Sequence, residues 1–207
     1  MDPRAEAVLE FWFGGTRDDP QQIRDRMAFW FGGGDRADLE SMDREIAQRF
    51  GALVGDASRG DLDDWSRTAH ERLALILLLD QFRRNIHRGS PQAFSCDART
   101  LELTLDGLDQ GMHRMLSAIE RVFFMMPLQH SEQLEAQERS VREFEALRAA
   151  LPAHLESLFR GFADYAVVHR DIVARFGRFP HRNAILGRTS TQEESDYLAD
   201  DAPTFGQ

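Results

Sequence analysis

Three ionisable residues break the apolar pattern of helices that would otherwise bury them. In the stretch 154–176 the inward stripe reads Phe162, Ala166, His169, Val173, Phe176, with an imidazole in its middle. After Ser90 the stripe reads Phe94, Asp97, Leu101, Leu105, Leu108, with a carboxylate in line. Asp80 follows seven apolar residues, Leu73 to Leu79, and shares a face with Leu73, Ile76 and Leu77. A buried carboxylate without a partner is very costly, so Asp80 and Asp97 should be ion-paired or hydrogen-bonded. Arg83 and Arg84 are near Asp80 in sequence, and Arg175, Arg178, Arg182 and Arg188 come later.

Those later arginines form a basic island. From His169 to Arg188 there are five Arg and two His against one acid, Asp171, in a chain of net charge −10. Phe176, Phe179, Ile185 and Leu186 are interleaved, so part of this loop should be buried. Arg suits such a place because it stays charged and offers a planar fork for carboxylate or phosphate. The island reads either as an anion grip over a pocket or as an internal latch onto Asp80 and Asp97. A second polar cluster, His130-Ser131-Glu132, reads as an acid/base pair or as capping chemistry around Ser131.

The composition removes several chemistries. All 25 basic residues are Arg. Without Lys there is no Schiff-base lysine, no P-loop lysine and no Ser-Lys hydrolase. The one cysteine, Cys96, excludes an internal disulfide and any multi-Cys zinc or iron–sulfur site, and it fits a reducing cytoplasm. No His-Glu-x-x-His occurs, and His70-Glu71 lacks the second His, so no metal site and no cofactor are expected. The acidic balance argues against nucleic acid and anionic membranes as partners. The longest apolar run, Leu73 to Leu79, is far short of the ~20 residues of a membrane span. The start, Met-Asp-Pro-Arg-Ala-Glu, lacks the pattern of a signal peptide.

The elements that must position these residues are helical almost throughout. The pattern predicts helices over about 4–13 and 20–31, the second stopping at Gly32-Gly33-Gly34, and then one capped by Asp35 with Leu39, Met42, Ile46 and Phe50 inward. A central buried helix should run from Asp63 or Asp64 to about residue 86. Ser90 and Pro91 open a helix interrupted near Ser95 and running to Gly111. The next, 112–126, should end at Pro127, and Ser131 should cap the one after it. A long helix spans 154–176, and Ser190 with Glu193, or Thr191 with Glu194, signals a short last helix with an acidic tail over 193–201. No strand pattern appears. The expected fold is all-α, a single domain over 1–207 of about eight or nine helices in stacked antiparallel hairpins.

Four stretches carry a resemblance: Leu77-Leu78-Leu79-Asp80-Gln81-Phe82-Arg83-Arg84-Asn85; Ala93-Phe94-x-x-Asp97; Met126-Pro127-Leu128-x-His130-Ser131-Glu132; and Phe176-Gly177-Arg178-Phe179-Pro180-His181-Arg182-Asn183-x-x-Leu186-Gly187-Arg188. They resemble a bacterial family catalogued as domain of unknown function nine-two-four, and so does the opening Val8-Leu9-x-Phe11-Trp12-Phe13-Gly14. The resemblance implies a fold similar to tetratricopeptide-like superhelices and no established activity. One departure is Arg83, where the family often carries Pro, so Arg84 matches the family arginine.

The expected function is a helical binding module with an Arg/His-lined pocket for an anionic small molecule or a peptide carboxylate. Its candidate ligand-binding residues are Asp80, Arg84, Asn85, Asp97, Glu132, His169, Arg178, Arg182, Asn183 and Arg188. The alternative is a small-molecule hydrolase or transferase with His130 or His181 as general base, Asp80 or Asp97 orienting it, and arginines stabilising developing charge. A third reading is a structural ion network with no site there.

Overall fold

The computed structural model describes residues 1–15, 19–31 and 36–200. Among these every element is helical, so the fold is all-α. In chain order the α-helices are α1 (Pro3–Phe13), α2 (Pro20–Phe31), α3 (Arg36–Arg59), α4 (Ala69–Leu77), α5 (Arg83–Ile86), α6 (Asp97–Asp109), α7 (Ala118–His130), α8 (Leu134–Ala150), α9 (Ala153–Phe176) and α10 (Gln192–Ala199). Short 3₁₀ turns punctuate them at Asp63–Arg67, Pro91–Phe94, Met112–Met115 and Pro180–Arg182. The glycine run 32–34, the cap Asp35 and the tail residue Asp201 lie outside the described residues.

α4 is the axis of the core. Leu73 to Leu79 are all buried, with α1 and α7 against them. One contiguous apolar cluster runs from Ala5 in α1 to Ala166 in α9, so α1–α9 share a single core. Successive helices α6, α7, α8 and α9 each pack on the next. Aromatic rings tie α2 to this body: Trp30 lies 5.2 Å from Phe123 of α7, and Phe31 lies 5.6 Å from Phe162 of α9. The Trp30 indole N–H donates to the Trp12 carbonyl at 2.9 Å.

Four boundaries differ from the sequence expectation, the first being the start of α7, which is Ala118 and not 112, because Met112–Met115 form a 3₁₀ turn and Ser117 with Glu120 makes the capping box. The central helix begins at Ala69, not at Asp63 or Asp64, because Thr68 takes an extended conformation after the 3₁₀ turn that buries Trp65. α7 does not stop at Pro127 but continues to His130. Proline removes one backbone donor, but Val122 to Gln129 are all buried, and that packing outweighs the lost bond. Ser131 therefore follows α7 instead of starting α8, which begins at Leu134. The buried Gln137 amide donates to the carbonyls of Gln129 (2.7 Å) and Ser131 (2.6 Å), satisfying acceptors that α7 leaves open at its end. Of the two capping signals near residue 190, Thr191 with Glu194 forms the capping box of α10.

α4 does not run smoothly into α5. Leu78–Phe82 forms one turn of π-helix, a conformation frequent at functional sites. Asp80 is at its centre.

Candidate functional site

The π turn places Asp80 fully inside, beyond the end of the apolar run. Its Oδ1 accepts from His130 Nδ1 at 2.7 Å, and its Oδ2 accepts from the Gln81 amide at 2.6 Å. The Arg84 guanidinium lies 3.5 Å away, one turn further on. Burial pushes the Asp80 carboxyl up, and Arg84 and His130 more than offset it, so it lies well below the usual carboxylate range. It is therefore an acceptor only, and the proton of the His130 contact sits on Nδ1. That leaves Nε2 as the ring nitrogen with a lone pair. Burial holds the His130 pKa below its ordinary value despite Asp80.

Arg84 is buried and carries the second layer. Its two terminal nitrogens meet both oxygens of Asp97 at 2.9 and 3.1 Å, and Nη1 also donates to the Ala93 carbonyl. Arg182 reaches the same carboxylate from the loop after α9, Nη1 to Oδ2 at 3.2 Å. Its guanidinium lies 4.7 Å from the Phe94 ring and 4.6 Å from the Phe179 ring. Its Nε is buried with no hydrogen-bond partner. Burial lowers the Arg182 pKa to about 10, which is the behaviour of a cation with too little compensation.

A cavity of about 630 Å³ opens beside this network. Arg84, Asn85, His130, His169, His181 and Arg182 all line it, whereas Asp80 and Asp97 stand behind the first layer. His169 Nδ1 donates to the Tyr165 carbonyl at 2.7 Å, so its tautomer too is fixed. Burial holds the pKa of His169 down to about 3 and that of His181 to about 4, so both are neutral imidazoles near pH 7. Asn85 turns its amide to Asp43 of α3 at 2.8 Å, and Arg88 meets the same carboxylate at 2.7 Å.

The remaining candidates lie elsewhere and act as latches. Arg178 meets both oxygens of Glu194 at 2.6 and 2.7 Å and donates to the Thr189 carbonyl. Arg188 meets both oxygens of Glu132 at 2.7 and 3.0 Å. Glu132 also accepts the Phe179 N–H at 2.8 Å. Asn183 donates to Ser190 and Glu194. None of these four lines the cavity, so of the four candidate ligand-binding arginines Arg84 and Arg182 face it, whereas Arg178 and Arg188 do not. Their contacts fold the loop 177–190 onto the end of α7 and onto α10, which sets the position of His181 and Arg182.

The sequence reading did not anticipate the apolar wall. Met27, Trp30 and Phe31 of α2, Leu39 and Met42 of α3, and Phe162 of α9 also line the cavity. On the sequence they look like ordinary core stripes. In the structure Phe31 and the cavity-lining Tyr165 are large and yet 46% and 56% exposed. Gln81, Arg88 and Gln129 complete the polar side.

A family profile described as a bacterial protein of unknown function (DUF924) matches residues 8–202. The chain belongs to this family. A solved structure of a protein of unknown function from Agrobacterium tumefaciens is similar to it throughout, with a TM-score of 0.76, 33% identity, and 95% of this chain and 97% of that chain covered. A search of curated proteins gives no match. The two chains share this all-helical frame. Among the described residues, no helix is long and apolar enough to cross a membrane, and no group of three His, Cys, Asp or Glu side chains is arranged to hold a metal ion.

Proposed function

We propose that the protein is a helical binding module whose cavity takes an anionic small molecule or a peptide carboxylate, with Arg182 as the principal contact. One observation carries this reading. In a chain of net charge −10, the cavity wall among the described residues holds three guanidiniums and three imidazoles and no carboxylate. The carboxylates that compensate the arginines, Asp43, Asp80 and Asp97, all sit in the layer behind. Arg182 contributes further support: five donors, a single ion pair of 3.2 Å, and an unsatisfied buried Nε. On this reading the chain is one cytoplasmic domain, and its stacked helix pairs are compatible with a tetratricopeptide-like superhelix.

A thermal-shift and calorimetric titration with acetate, benzoate and inorganic phosphate tests it. A stabilising anion should lose its effect in Arg182→Gln and keep it in Arg175→Gln, which breaks an exposed ion pair with Glu193 outside the cavity. The reading falls if no anion raises the melting temperature of the wild-type protein.

A second reading, a small-molecule hydrolase or transferase, is favoured by the Asp80–His130 contact. A buried carboxylate fixing the Nδ1 proton leaves Nε2 of a cavity-lining, neutral imidazole ready to accept one, which is what a general base requires. Arg182 would then stabilise developing negative charge.

A further inference from the structure

The two sides of the cavity differ in chemistry, and that difference restricts what fits. On the polar side are Arg84, Arg182 and the three imidazoles. Away from them, α2 and the first half of α9, joined through the Phe31–Phe162 ring contact, present Met27, Trp30, Leu158 and Phe162. α9 runs along both: Leu158, Gly161, Phe162, Tyr165 and His169 all line the space. At ~1.5 Å rise per residue, Leu158 and His169 are about 16 Å apart along the helix. The cavity is therefore elongated, apolar towards Leu158 and cationic towards His169 and the 179–182 turn. Its volume suits a ligand of ordinary metabolite or drug size.

Charge narrows the occupant further. Arg84 and Arg182 share Asp80 and Asp97, and Arg88 has Asp43. The network is balanced before any ligand arrives. One added negative charge can use the remaining Arg182 donors, whereas a dianion would overfill the balance in a site of low dielectric.

We propose that the occupant is a monocarboxylic acid with an apolar body, its carboxylate against Arg182 and its body lying along α9 towards Leu158. This rests on the anion-binding reading and specifies its ligand. Gly161 offers a clean way to test it. A Cβ built there meets nothing within 4 Å, and the residue lies in the helical wall of the cavity's apolar half. Gly161→Leu should fill that half without straining the fold.

Calorimetry on the full chain would compare acetate, butanoate and octanoate, with octan-1-ol as the uncharged counterpart and inorganic phosphate as the dianion. Affinity should rise about fourfold per added methylene, the ~0.8 kcal/mol of one buried CH₂. Octanol should bind at least tenfold more weakly than octanoate. Gly161→Leu should weaken octanoate at least tenfold and leave butanoate unchanged, and Arg182→Gln should weaken both acids. If all anions bind alike, phosphate included, and Gly161→Leu has no effect, anion binding stands and the apolar-body inference falls. If octanol binds as well as octanoate, or if no acid binds, both fall. Should Arg182→Gln fail to fold, Gly161→Leu and the octanol comparison decide alone.

Discussion

Arg188 holds Glu132 by both carboxylate oxygens, at 2.7 and 3.0 Å, across 56 residues of sequence. The same Glu132 accepts the backbone N–H of Phe179, so a single side chain anchors both ends of the turn that carries His181 and Arg182. Removing it in Glu132→Ala strips two charge-assisted bonds and leaves a backbone donor to find another partner. We expect a loss of about 2 kcal/mol in urea unfolding. A loss below about 0.5 kcal/mol would mean that the turn is held by its apolar contacts alone.

Asp80→Asn keeps the shape and deletes the buried charge. Arg84 then retains only Asp97, which it shares with Arg182, and two guanidiniums face one carboxylate. The expected cost is roughly 3 kcal/mol, measured as a shift in the denaturation midpoint. The variant should also free the His130 ring to take either tautomer, which ¹⁵N chemical shifts of the imidazole would show.

Acid should weaken the fold well above the carboxylate range. In the unfolded chain His169 and His181 bind protons from about pH 6.5 downward. In the folded protein burial delays this to about 4 for His181 and about 3 for His169, and Arg182 and His130 oppose the added charge. Between pH 6.5 and 4 the unfolded state carries more protons, so stability is fully present above about 6.5 and falls with pH. The slope is at most ~1.4 kcal/mol per pH unit for each ring. Going from pH 6.5 to 5, a loss of about 2–4 kcal/mol is expected in chemical denaturation, and the double variant His169→Gln, His181→Gln should flatten it.

Two glycines should respond oppositely to alanine. At Gly107 of α6 a Cβ would sit 2.5 Å from the Phe124 ring and 3.0 Å from the Arg72 side chain, both buried. Overpacking of ~1–3 kcal/mol exceeds the ~1 kcal/mol helix gain, so Gly107→Ala should lower the melting temperature. Gly161→Ala, with open space around it, should raise it.

Much of the fold is legible in local pattern, because 3.6-residue periodicity and caps such as Thr191–Glu194 are encoded within a few residues. The same periodicity exposes Asp80, Asp97 and His169 as misfits, and so marks one cavity-lining imidazole and the two carboxylates behind the arginines. What local pattern does not carry is which arginine meets which acid. Arg178 and Arg182 differ by four positions and look alike in sequence, yet one pairs with Glu194 on α10 and the other with Asp97 on α6. Pairings across 16 and 85 residues are decided by how the helices stack. The cavity's apolar wall is hidden for a related reason: Met27, Trp30 and Met42 would line a cavity or fill a core with the same spacing. Pro127 misleads because packing of the surrounding residues outweighs a local propensity.

The π turn at Leu78–Phe82 divides the central helix into two registers. An extra residue in a single turn shifts everything after it by about 100° of helical phase. The apolar half of the central helix and its polar end are thereby set to different clocks: α4 keeps step with the core, and Arg84, Asn85 and Arg88 keep step with the cavity. A one-residue deletion between 78 and 82 would bring the two into a single rhythm and swing the guanidinium of Arg84 away from Asp97, although neither residue had been altered.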